Sequence, residues 1–185
     1  MAVTITPDTF TMVIFDAERI REIVEGLLPD VGLPADTDIT IQIDERVPLG
    51  RAEVLSRDPI VLEIEGGALE HPKKPRHLSE EGSADVIGRL LLTVRDREDP
   101  AFGDPPVDRD LTLPYASAWD VYCVGRLARK GYRAQRQRRL YGFRNRHGFT
   151  DVADAAFEDL WNGTDLTWAQ ITAISDGARA ELPTA

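Results

Sequence analysis

Nine cations stand in thirty residues without a single carboxylate among them. From Val121 to Thr150 the chain carries Arg126, Arg129, Lys130, Arg133, Arg136, Arg138, Arg139, Arg144 and Arg146, interleaved with Tyr122, Tyr132, Tyr141, Phe143 and Phe149. The chain as a whole has a net charge of −10, so this segment at +9 leaves −19 on the remainder. A guanidinium grips a carboxylate or a phosphate through two parallel N–H donors, and an exposed aromatic ring stacks on a base or packs on a partner. The segment is therefore a candidate anion-binding or partner-binding surface. Three readings follow. It is a solvated helix face, a contact for an acidic surface, or a nucleic-acid contact opposed by the charge of the rest of the chain. The acidic surface of the second reading is the Asp96–Asp110 stretch of the same chain, a second copy, or another protein.

Other chemistry is thinly represented. No phosphate-binding glycine loop, dinucleotide fingerprint or nucleophile elbow occurs. The three histidines, His71, His77 and His147, are scattered. His71 and His77 flank Lys73, Lys74 and Arg76, a setting that repels a metal cation. The lone Cys123 forms no internal disulfide and reads as a small buried apolar residue. No cofactor and no metal are expected. Carboxylates such as Asp96, Asp99 and Asp120 keep a divergent hydrolase as the enzyme-class alternative.

The composition, 42% apolar and 29% charged over 185 residues, is that of one folded domain spanning 1–185. The longest apolar runs, Met12–Phe15 and Leu90–Leu92, are far too short to cross a bilayer. Met1–Phe10 holds Asp8 and no Lys or Arg, unlike a secretory leader, so a cytoplasmic protein without a membrane partner is expected.

The elements that must position the basic segment read as α+β: a small mixed sheet in 1–66, helices over 79–181, and an irregular acidic loop at 96–110. Val3–Thr6 and Phe10–Phe15 are β-branched and apolar and predict strands. Asp16 caps a helix with Ile20, Ile23, Val24, Leu27 and Leu28 on one face, stopping near Pro29. Strict alternation in Asp38–Asp44 predicts a strand with isoleucines on one side. Arg51–Leu55 and Ile60–Ile64 predict two more, and His71–His77 a proline-rich connection. Ser79 opens a second helix with Val86, Ile87, Leu90, Leu91 and Val94 as its apolar stripe, expected to lie against the sheet. Further helices are predicted over 116–130, about 133–146, from a Thr150 cap to Gly163, and from a capping box formed by Thr167 and Gln170 with a Leu166–Ile171 staple. The acids Asp151, Asp154, Glu158, Asp159 and Asp165 make the last two a packing hairpin rather than a DNA-reading pair.

The order strand, helix, strand, strand, helix over roughly residues 10–130 resembles the core of the zincin metallopeptidases, whose second helix carries H-E-x-x-H. In Val86-Ile87-Gly88-Arg89-Leu90-Leu91-Leu92-Thr93-Val94, Arg89, Leu90 and Thr93 stand where that family has histidine, glutamate and histidine. Asp99 falls at the third-ligand position of its short form. Two imidazoles one turn apart and a neighbouring carboxylate are what zinc hydrolysis needs. The resemblance implies a scaffold that has lost its metal.

From the residues themselves the leading expectation is a non-enzymatic interaction or accessory protein using 121–150 against an acidic protein partner or its own copy. A nucleic-acid-associated protein using the same surface is the alternative.

Overall fold

A computed structural model describes residues 3–179, so residues 180–181 of the expected helical half lie outside it. The chain forms two compact units, one ending at Arg95 and the other beginning at Asp96.

The first unit is built on four strands, β1 (Val3–Thr6), β2 (Ile39–Asp44), β3 (Ala52–Arg57) and β4 (Ile60–Glu65), in spatial order β1-β2-β4-β3. β1, β2 and β4 run parallel and β3 is an antiparallel edge. Helix α1 (Ala17–Val31) connects β1 to β2, the crossover that a parallel pair requires. Alternation sets the faces: Ile39, Ile41 and Ile43 of β2 and Ile60, Leu62 and Ile64 of β4 are buried, as are Ile20, Val24, Leu27 and Leu28 of α1. The other face of the sheet turns Thr6, Gln42 and Glu63 to solvent. β5 (Glu70–His71) and β6 (Lys74–Leu78) form a separate hairpin, and α2 (Glu80–Glu98) follows with Ile87, Leu90, Leu91 and Val94 buried.

The second unit is helical: α3 (Leu113–Arg129), α4 (Arg136–His147), α5 (Asp151–Asn162) and α6 (Trp168–Arg179). α3 packs on α5, α6 and α4. Its Trp119, Cys123 and Leu127, one helical turn apart, are buried with Phe157, Leu160 and Trp161 of α5 and Ile171 of α6. Caps match the sequence reading. Asp16 accepts from the Glu18 and Arg19 amides, Thr150 from Ala153, and Thr167 and Gln170 close a reciprocal box.

Several boundaries differ from expectation. Phe10–Phe15 is no strand; only Ile14 bridges, to His77, because the Thr11 and Met12 amides donate to the Glu45 carboxylate instead of a ladder. Helix α1 runs through Pro29 to Val31 and ends at Gly32, whose φ of 77° is the left-handed cap. The proline-rich connection 71–77 lies largely within the β5–β6 hairpin, so strand structure extends beyond residue 66 to Leu78. The basic helix begins at Arg136, not 133, and α2 carries Asp96 in its last turn, so the irregular stretch starts after Glu98. That stretch is anchored: Phe102 is buried against Trp119 with ring centres 5.4 Å apart, and the Trp168 amide donates to its carbonyl.

Among the described residues no helix is long and apolar enough to cross a membrane.

Candidate interaction site

The nine cations of 121–150 divide by what they touch. Arg126, one turn from the end of α3, turns inward. Its guanidinium donates to both oxygens of the fully buried Asp96, at 2.8 and 2.5 Å, and Trp119 Nε1 donates to the same carboxylate at 2.9 Å. Arg126 also lies 4.2 Å over the Tyr122 ring. Burial pushes the neighbouring Cys123 thiol up to about 12, so that sulfur stays protonated and unreactive.

Helix α4 is then stitched to its neighbours by charge. Arg136 pairs with Glu158 of α5 and Arg139 donates to Asp120 of α3 at 2.5 Å. Arg144 grips Asp154 of α5 through Nε and Nη2, at 2.7 and 2.5 Å, and that hydrogen-bonded pairing holds the Asp154 carboxyl below its usual range. Arg129 binds the carbonyls of Trp161 and Gly163, capping the open end of α5. Two of the acids expected to bar a phosphate backbone from the last two helices, Asp154 and Glu158, thus serve α4. The sequence offers 96–110 as an internal acidic partner, and there Asp96, on α2, fills that role for Arg126, while Asp108 pairs with Arg97.

Arg138 and Arg146 point outward with Lys130 and Arg133, all four exposed. No carboxylate among the described residues pairs with Arg138 or Arg146. On α4 Tyr141 is 61% exposed, and Phe149, just beyond the helix, 63%. Their rings meet edge to face with centres 5.8 Å apart. Helical spacing places Arg138 one turn before Tyr141, whereas Arg146, five positions on, lies about 140° round the helix from it. The structure thus separates the nine sequence candidates: Arg126, Arg129, Arg136, Arg139 and Arg144 hold the unit together, and Arg138 and Arg146 stay exposed on the helix that carries Tyr141.

His147, left among scattered histidines by the sequence, is fully buried at the end of α4. Its Nδ1 lies 3.1 Å from the Phe143 carbonyl, which can only accept, so Nε2 at 2.8 Å accepts from the Ser175 hydroxyl of α6. Burial lowers its pKa below 6.5. Four-residue spacing from Phe143, whose ring it stacks on at 3.8 Å, was the available signal.

The positions that the zincin resemblance singled out do not fit a metal. Leu90 is buried, the Thr93 hydroxyl donates to the Leu90 carbonyl, Arg89 is a cation, and Asp99 accepts from the Ala101 amide. Among the described residues, no cluster of three or more His, Cys, Asp or Glu side chains is placed to hold a metal ion. Compared with family models, curated proteins and solved structures, the chain matches none.

Proposed function

We propose that this chain is a non-enzymatic interaction protein that meets an acidic protein surface through the outer side of α4. The observation that carries the reading is the solvent-facing Tyr141–Phe149 pair, with the exposed Arg138 one turn before Tyr141. Tyrosine, phenylalanine and arginine are residue types enriched at protein interfaces, and here two exposed rings adjoin to form one surface. The exposed guanidiniums of Arg138 and Arg146 on the same helix favour a partner that carries carboxylates near an apolar centre. A polynucleotide is less well served, because at least five of the nine cations are engaged within the fold and a phosphate backbone rewards many unpaired cations at once.

The test is an NMR titration with a defined acidic peptide of repeated Glu-Glu-Leu, a DNA duplex in parallel, and sedimentation of the protein alone. The reading expects amides of 138–149 to shift with the peptide, the effect to weaken with salt, and an Arg138→Glu, Arg146→Glu double variant to abolish it. Larger shifts with DNA, or self-association through the same amides with no peptide response, would replace the acidic partner with those alternatives. No response from 138–149 to any of the three would end the proposal.

A further inference from the structure

The first unit contains an open groove of about 500 Å³. Its floor is a row of side chains on the polar face of the sheet. Thr6 of β1 pairs in register with Gln42 of β2, which pairs with Glu63 of β4. All three are exposed, whereas the residues before and after Gln42 and Glu63 are buried. Neighbouring strands lie about 4.8 Å apart, so the row presents a hydroxyl, a carboxamide and a carboxylate over roughly 10 Å. None of these three side chains has a partner among the described residues.

The wall is the segment after β1, and it is fixed in place. Glu45 accepts from the Thr11 and Met12 amides at 2.8 and 2.6 Å and from the Thr11 hydroxyl at 3.1 Å. At the rim Arg46 binds Asp44 through two nitrogens at 2.9 and 3.0 Å. Both rim acids are therefore engaged, and the single guanidinium in the groove is held by a carboxylate.

Glu63 is different. Directly across the antiparallel β3–β4 pair stands Glu53, a like charge that weakens the sheet. Arg51 bonds Glu53 and leaves Glu63 without a counter-charge. The groove thus offers an unmatched carboxylate, adjacent oxygen acceptors on Gln42 and Thr6, and an apolar strip from Pro7 and Met12. An anion would meet three carboxylates there, and a purely apolar ligand would strand the polar floor.

We infer that this groove binds an alkyl guanidinium or ammonium group, its cationic head on Glu63 and its chain along Gln42 toward Thr6. The group belongs either to a small free amine or to an arginine or lysine side chain of another protein.

The test is a titration of the full chain, followed by amide shifts, with agmatine, with a blocked Gly-Arg-Gly peptide and with glucose. Agmatine or the peptide is expected to shift the amides of Thr11, Met12, Gln42 and Glu63, with glucose inert. Tighter agmatine binding assigns the free amine, and tighter peptide binding the protein side chain. Glu63→Gln is isosteric at an exposed site, and it should weaken binding about fivefold while raising the melting temperature by relieving the Glu53 repulsion. Gln42→Thr, which suits a strand, should weaken binding with the carboxylate intact. No shift at about 10 mM ligand, where a millimolar site is saturated, overturns the inference. So do unchanged binding in Glu63→Gln and equal shifts with glucose.

Discussion

The Asp96 carboxylate and the Arg126 guanidinium form a two-bond ion pair at 2.8 and 2.5 Å, with the carboxylate wholly removed from solvent. Trp119 supplies a third donor to the same acid. Removing one member of such a pair leaves the other buried without compensation, at a cost of about 3–5 kcal/mol. Arg126→Met is therefore expected to lower the urea-unfolding free energy by about that amount, and adding Asp96→Asn should restore part of it. Two single-variant losses that simply add in the double variant would show that the residues act independently.

The α3–α5 crossing gives a sharper steric case. A Cβ on Gly125 would sit 2.2 Å from the Trp161 carbonyl oxygen, a backbone atom unable to yield. Gly125→Ala should destabilise the second unit by about 1–3 kcal/mol or prevent its folding. Gly142, on α4, has nothing within 4 Å of the same position, and Gly142→Ala should stabilise by about 0.5–1 kcal/mol. Thermal melts of the two variants shifted in the same direction would contradict this.

Acid should loosen the α4–α6 contact before the rest. His147 is neutral in the fold, with its pKa lowered from 6.5 by burial, while Arg179 opposes and Asp176 favours its charge. Its contribution to stability is complete above pH 6.5 and is lost as pH falls from there through the lowered folded value. The carboxylates Asp44, Glu45, Glu80 and Asp154, also lowered, lose theirs at still lower pH, below about 4.5. The urea midpoint should therefore decline below pH 6.5, and His147→Gln should flatten that limb alone. An unchanged slope would place the titration elsewhere.

Glu45 should govern the segment after β1. Glu45→Ala removes the acceptor of two backbone amides and a hydroxyl, so hydrogen exchange at Thr11 and Met12 is expected to accelerate while β2 and β4 amides keep their protection. Uniform acceleration across the sheet would show instead that Glu45 supports the whole unit.

Local rules carried most of the fold. The Ile39-Ile41-Ile43 alternation, the Asp16 and Thr150 caps and the Thr167–Gln170 box depend on residues within a few positions of one another, and each is where the sequence puts it. The errors arise where a distant group decides. Glu45, more than thirty residues away, diverts the amides of Thr11 and Met12 from strand pairing, which no periodicity within 10–15 reveals. The basic segment shows the same limit. Its charge count was legible, but whether a given arginine faces inward depends on Asp96, Asp120, Asp154 and Glu158 arriving from other helices. That is why reversing Arg136, Arg138 and Arg139 together, a natural choice from sequence, mixes two stitches with one outward residue. The groove had no sequence signal, since Thr6, Gln42 and Glu63 become neighbours only through strand order.

Helix α4 buries only Phe143 and His147 and is otherwise fastened by Arg136, Arg139 and Arg144. Fastenings of this kind are screened by electrolyte and weaken when their counter-ions are neutralised, whereas burial of apolar side chains is not screened by salt. The helix that displays Tyr141 is thus conditional: seated in dilute neutral buffer, and the first to let go in brine or acid.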